Sequence, residues 1–511
     1  MFWSPIRGLR TPALLLLVHF AALGRADEIV IHEPTPMGAA RFLEQAAFGP
    51  TPAEQARVFD MGPSSWIAEQ FALSETPIPI PSDNGVARSQ YLSRLAHAPD
   101  QLRQKTAYAL GHIIVISGNK NPYADETVPY LRLLSRHAFG NYRDLLRDIT
   151  VSPQMAKYLD LANSAKPGVG GGANENYARE LMQLFSIGLH ELNQDGSQKL
   201  DASGQPIPTY TQQTIQQLAL ALTGWTYGTA PGNTPRDFNW EYFDAPMEVR
   251  EQNHDTTEKR FLGCVLPAGQ RTAQDLDAAI DCVFRHPNLG PFVATRLIRS
   301  MVTSNPPPGY IQRVAAAFND NGAGVRGDMK AVLRAVLLDW EARRDGPTPS
   351  QGRLKEPVYF FTALVRALNG SVAPDTVQSW EFGRMGQYPL AANTVFGFYS
   401  PMYRVPRSQW FGPEFQIFTP SESVLRDNLL YALIDGRTGS DMRVDLSPFL
   451  SAAANIPRLI DEVDKRLLYG RMPLAMRESL ARALAPAYDN AQRVTTALYL
   501  TAMSGQYHVQ Y

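Results

Sequence analysis

A chain of 511 residues, 44% hydrophobic and 19% charged, is too long for one ordinary core and too apolar for a disordered polypeptide. The 48 basic and 49 acidic residues leave a net charge of −1, which excludes the basic field that nucleic-acid binding needs.

The first segment reads as an export signal. Arg7 and Arg10 precede an apolar run from Pro12 to Gly24, and Gly24, Arg25 and Ala26 offer small residues at the −3 and −1 positions. Cleavage after Ala26 is expected, with Asp27 as the mature N-terminus. The alternative is a membrane anchor, but the run is shorter than the ~20 residues a span requires. No later segment reaches that length. Cys264 and Cys282 are the only two cysteines; in an exported chain they favour one disulfide and cannot form a four-cysteine metal site.

The elements follow in chain order. Ala39 to Ala47 is an amphipathic helix. Thr51 caps the next, with Pro52 at its first position and Glu54 three residues after the cap. Pro77 to Pro81 reads as a stiff extended linker. Helical patterns follow at 99–117, 128–135 and 142–149. Residues 174–188 carry the most information. Tyr177, Leu181, Leu184 and Phe185 make a buried stripe, and Asn176, Glu180 and Gln183 a polar one. The glycines at 168–172 that lead into this helix read as a flexible connection. Residues 193–210 carry turn chemistry and predict a hairpin-like excursion; Asn193, Asp195 and Asp201 are oxygen donors, but their spacing does not match a calcium loop. Helices resume at 212–223, then at 273–285, 289–302, 310–319, 328–342, 354–368 and over 424–504. Residues 226–261 and 383–420 read as irregular and aromatic. The expected fold is mainly α: a multi-helix globular protein with long irregular loops. The expected domains are a signal peptide over 1–26 and one helical region over 27–511, with subregions 27–188, 189–382 and 383–511.

Candidate chemistry sits on two stretches. Glu180, His254 and Asp255 are the candidate catalytic residues, with Arg179, Trp225 and Lys259 as candidate binding residues beside them. Glu175 and Arg179 are four apart and suit a surface ion pair. Glu180 is the better candidate for a buried acidic role, and a partner (Arg, His or a metal) is expected for it. His254 on a loop among carboxylates is either a general base or ligand, or a residue that ties the loop down by hydrogen bonds. There is no nucleophile elbow, zinc helix or phosphate loop. A shared cavity for Glu180 and His254, roofed by aromatics from 226–243 and 399–415, is expected.

Several stretches together resemble one family. They are Arg41 to Pro52 (Arg-Phe-Leu-Glu-Gln-Ala-Ala-Phe-Gly-Pro-Thr-Pro), Gln101 to Lys105, His137 to Asp144, Asn174 to Leu181, Leu222 to Trp225, His254 to Gly263, His286 to Phe292, Phe318 to Gly322 and Pro413 to Gln416. Over nearly all of its predicted mature length the chain is similar to the bacterial family termed domain of unknown function 1800. The resemblance implies an exported, mostly helical protein, often encoded beside an exported protein of sulfatase or phosphatase-like fold, which is the candidate partner. It implies no catalytic residues. The chain departs from many relatives at Gly111, His112 and Ile113, where those carry a histidine on each side of an asparagine. Two functions stay open: an exported enzyme or enzyme subunit acting on an extracellular polymer, and a non-catalytic envelope protein that binds a partner.

Overall fold

Thr35 and Thr51 each accept a hydrogen bond from the backbone of the first helical turn, and a proline follows each at the start of the helix, so Pro36–Ala46 and Pro52–Met61 begin where the sequence places them. The computed structural model describes residues 35–344, 351–377, 379–486 and 489–511. The predicted export segment lies outside these residues. The protein is mainly α, and the strands among the described residues form four antiparallel pairs of two or three residues each.

Two hydrophobic cores sit side by side. The first is built by helices from Pro36–Ala46 to Trp340–Arg343, around Phe42, Trp66, Tyr142, Tyr177 and Phe185. The second surrounds Pro357–Ala367, a helix buried on every side. Pro420–Ile434, Ile456–Val463 and Asn490–Ala502 pack around it, and Asn84–His97 crosses over from the N-terminal half to join them. Along the chain, the first core runs to Ala342, and most of the second is built from Val358 onward.

Three local differences from the sequence reading have physical causes. The helix expected over 354–368 begins at Pro357, because the residue before proline is held extended (Glu356 has φ −70° and ψ 160°). Arg353–Leu354 instead pairs with Val509–Gln510. The helix expected over 99–117 stops at Gly111, and Ile113 and Ile114 are buried in the turn that follows. The aromatic stretch 226–261 contains short ladders: Trp225–Thr226 pairs with Glu248–Val249, and Lys259–Phe261 with Cys264–Leu266. The excursion at 189–211 is hairpin-like, with bridges His190 to Pro208, Leu192 to Gln198 and Leu200 to Pro206. Its Asp195 and Asp201 close turns by accepting from Ser197 and Ser203.

Cys264 and Cys282 are bonded and tie the Lys259–Leu266 hairpin to the helix Thr272–Arg285. Closing a loop of this size stabilises by about 3 kcal/mol in the chain-entropy description. The double variant Cys264→Ala/Cys282→Ala is expected to melt several degrees lower than the oxidised protein, and a reductant is expected to lower the wild-type melt while leaving the variant unmoved. Superimposable melts would refute the contribution.

Buried charge joins the two cores. Lys355 Nζ lies 2.7 Å from Glu44 Oε1, and the Tyr359 hydroxyl donates to the Glu44 carbonyl at 2.6 Å. Arg353 stands 3.2 Å from Glu356 and 2.8 Å from Glu414. Glu356 also accepts from Tyr399 and from Gln387, and faces His112 Nε2 at 3.3 Å. Burial by itself would raise the Glu356 carboxyl, but His112 and Arg353 overrule it and hold it well below the usual carboxylate range. Burial lowers the His112 imidazole, and Glu356 more than restores it, so it lies above its ordinary value.

Candidate active site around Glu180

The helix Asn176–Gln183 buries Tyr177 and Leu181, and the turn that follows buries Leu184 and Phe185. The Tyr177 hydroxyl and Thr150 Oγ1 are 2.7 Å apart, which anchors the stripe. The opposite, polar side carries Arg179, which lies on the surface and pairs with Glu175 at 3.3 Å; Glu175 also accepts from Gln212 at 2.6 Å. Arg179 is thus held by Glu175, not by Glu180.

Glu180 is enclosed differently. It is 8% exposed, and among the described residues its carboxylate has no hydrogen-bond or ion-pair partner. No Arg or His among the described residues pairs with it. Burial raises its pKa and the nearby Arg179 only opposes this in part. Tyr158 and Tyr210 flank it: burial, with the Glu180 charge second, raises both phenols to about 12.

The turn 158–163 builds the rest of the site. Asp160 and Asn163 have φ of +60° and +66°, a left-handed conformation that Asp and Asn adopt more readily than other side-chain-bearing residues. Asp160 accepts from Lys120 at 2.7 Å and from Asn176 at 3.2 Å, one helical turn before Glu180. Asn163 donates its N–H to the Trp225 carbonyl and accepts from Thr226. Its side-chain amide donates to the Asn239 carbonyl at 3.3 Å. This turn therefore connects the Glu180 helix to the aromatic stretch. There Tyr227 and Phe243 pack edge to face at 5.9 Å, and Trp240 stands 75% exposed. The Trp225 ring is buried, with its indole N–H unpartnered. Within the glycine run, Phe238 covers Gly170 so closely that a Cβ there would meet the ring at 3.0 Å, while Gly168, Gly171 and Gly172 stand in open space.

His254, Asp255 and Lys259 come together around Asp275. His254 Nδ1 donates to the Thr223 carbonyl at 2.9 Å, and Nε2 faces Asp275 at 3.1 Å. Lys259 Nζ lies 2.6 Å from the same carboxylate and also donates to the Asp255 carbonyl. Asp255 accepts from Thr257. The side chains of His254, Lys259 and Asp275 have no exposure, so they fasten the 250–259 loop to the helices on either side of it. Gly224 makes this possible: with φ +90°, it lets His254 approach to where a Cβ would stand 2.9 Å from it. No hydrogen bond or ion pair among the described residues joins Glu180 to His254. Tyr399, expected on a roof over that pair, lies instead on Glu356.

Asp160, Asn163, Tyr158, Tyr210 and Asp275 escaped the sequence reading. The detectable signal was Tyr158-Leu-Asp160-Leu-Ala-Asn163, where two αL-tolerant residues three apart end a helix.

These features define a mainly helical protein of two adjoining cores, with acidic and aromatic side chains gathered around the helix Asn176–Gln183. No helix among the described residues is long and apolar enough to cross a membrane. The chain belongs to the family described as Protein of unknown function (DUF1800), whose profile matches residues 41–509. No curated protein and no solved structure matches it.

Proposed function

We propose that the protein is an exported enzyme, or an enzyme subunit, that acts on an extracellular polymer with Glu180 as its acid. The observation that carries this reading is the Glu180 carboxyl, enclosed and without a partner. Burial raises this carboxyl above its ordinary value, the direction that proton donation needs. Asp160, paired with Lys120 and Asn176, supplies a second carboxylate beside the same helix. Trp240 and its aromatic neighbours supply faces on which a sugar ring or peptide side chain stacks. The basic start, the short apolar run and the disulfide all suit export to an oxidising compartment. Material recovered outside the cytoplasm is expected to begin at Asp27.

One observation favours the second reading, a non-catalytic envelope protein binding a partner such as an exported sulfatase-like protein: His254, Asp255 and Lys259 are consumed in their own buried pairing. One experiment separates the two. Purified protein is incubated with a panel of polysaccharides, peptidoglycan and unfolded polypeptide, and released products are counted. Glu180→Gln is expected to lower release by about 10²–10⁴-fold while the melting temperature holds. If wild-type protein cleaves nothing in the panel, and Glu180→Gln leaves a co-purifying partner in place, the enzyme reading falls.

A further inference from the structure

No Asp or Glu occurs between Glu381 and Glu414, although the chain as a whole balances 49 acids against 48 bases. The same stretch carries Arg384, Arg404 and Arg407. Its last part folds as a short hairpin. Arg404 and Phe411 form an antiparallel bridge, the Val405 N–H donates to the Trp410 carbonyl at 2.9 Å, and the Gly412 N–H donates to the Tyr403 carbonyl at 3.0 Å. Asn305 clamps this hairpin to the body of the protein. Its amide nitrogen donates to the Phe411 carbonyl at 2.9 Å, and its oxygen accepts from the Phe411 N–H at 2.8 Å. The hairpin is therefore a fixed platform. Arg404, Arg407 and Trp410 are exposed on it, and Met402 just before it.

Two cations crowd one ring of this hairpin. Arg299, from the helix Leu289–Met301, and Arg404 lie 4.1 and 4.3 Å from the centre of Phe411. Neither forms an ion pair among the described residues. Arg299 donates to Met402 Sδ at 3.9 Å, and its Nε is buried without a partner. Arg404 donates to the Gln409 carbonyl. Glu414, whose charge reaches Arg299, is committed to Arg353 at 2.8 Å. Burial, and then Arg404, push the Arg299 guanidinium down to about 10. Arg296, one turn earlier, is a third cation without an ion pair among the described residues. Like charges gathered without a carboxylate cost free energy, and an arriving anion offsets that cost.

We propose that this hairpin binds an anionic polysaccharide: Arg299 and Arg404 take a carboxylate or sulfate of the polymer, and one of its sugar rings stacks on Trp410. A guanidinium fork matches two oxygens of one oxyanion, and an exposed indole is a flat face for a pyranose. The arginines and the indole share one short hairpin, so a polymer of several units reaches both. An acidic peptide offers the charge without the ring beside it. The site does not depend on the reading given to Glu180. The probe is dextran sulfate, with neutral dextran and poly-glutamate as counterparts, each titrated into the full chain by calorimetry at physiological ionic strength, where loose polyion attraction is screened. Saturable binding of dextran sulfate is expected, with none of dextran and weaker binding of poly-glutamate. Arg299→Gln with Arg404→Gln is expected to weaken it about tenfold or more, and Trp410→Ala several-fold. Arg482→Gln, which removes an exposed charge from another helix, is expected to leave it unchanged. Should the Arg299 variant not fold, Arg404→Gln and Trp410→Ala, both at exposed positions, decide the same point. No saturable binding of dextran sulfate, equal binding of dextran or poly-glutamate, binding indifferent to Trp410→Ala, or equal weakening by Arg482→Gln and Arg404→Gln would each overturn the proposal.

Discussion

Replacing Glu356 with alanine is expected to cost about 3–5 kcal/mol, the range for breaking a buried ion pair by removing one partner. The size follows from what the carboxylate holds. Tyr399 and Gln387 donate to Oε2, His112 faces it, and Arg353 stands 3.2 Å from Oε1. Without Glu356 the His112 imidazole loses the charge that keeps its pKa raised, and Arg353 keeps only Glu414. Two hydrogen-bond donors would also be left in a dry interior. Urea denaturation of the single variant measures the loss. A double-mutant cycle with His112→Leu tests the cause: the pair is expected to cost clearly less than the sum of the singles, because the second change removes the buried imidazole left without Glu356. Strict additivity, or a loss under about 1 kcal/mol, would show that the Glu356–His112 pairing contributes little to the join.

Acid should destabilise the protein through His508. Its ring sits between Phe360 and Phe418, at 5.0 and 5.2 Å, with Nε2 buried and unpartnered. Burial first, then Arg426 and Lys355, push its pKa down to about 3. A base whose folded pKa lies below its unfolded value binds more protons when unfolded. The stability it permits is therefore full above about pH 6.5 and is lost as the pH falls toward 3. At about 1.4 kcal/mol per pH unit, the share due to this group between pH 6.5 and 4 is about 3 kcal/mol. His508→Phe keeps an aromatic ring in the slot and removes the titration. The difference in unfolding free energy between variant and wild type is expected to grow in the variant's favour by about that amount over this interval. Parallel stability curves would assign the acid sensitivity to other groups.

What the sequence disclosed and what it hid divide along contact range. The Tyr177, Leu181, Leu184 and Phe185 stripe was legible because a helix repeats its burial every 3.6 residues. The Thr51 cap, the excursion at 189–211 and the Cys264–Cys282 bond were legible because their chemistry is local or because no other partner existed. The surroundings of Glu180 were not. They depend on a turn 20 residues upstream whose Asp160 carries no periodic signal, and on Tyr210 from the far side of a loop. His254 was recognised as either chemical or structural. Only the position of Asp275, on a helix beyond a disulfide-bound hairpin, gives both its nitrogens an occupation. The two-core division was hidden because Phe48, Asn84–His97 and Tyr108 pack into a core made mostly by residues after 356. An amphipathic pattern says that a face is buried, not against what.

The Glu44 carboxylate sets a schedule for biosynthesis. It belongs to the first described helix, yet the Tyr359 hydroxyl bonded to its carbonyl comes 315 residues later and Tyr469, beside its side chain, 425 residues later. At about 5–20 residues per second, a nascent chain carries this group without its companions for roughly 15–60 s. Until then a negative charge sits on the face that must become dry, so the N-terminal helices have no finished surface to close on. Ribosome-bound chains halted before residue 355 should therefore remain open to proteases that the completed chain resists, and the arrival of Lys355 and the helix after it should mark the step at which the nascent protein shuts.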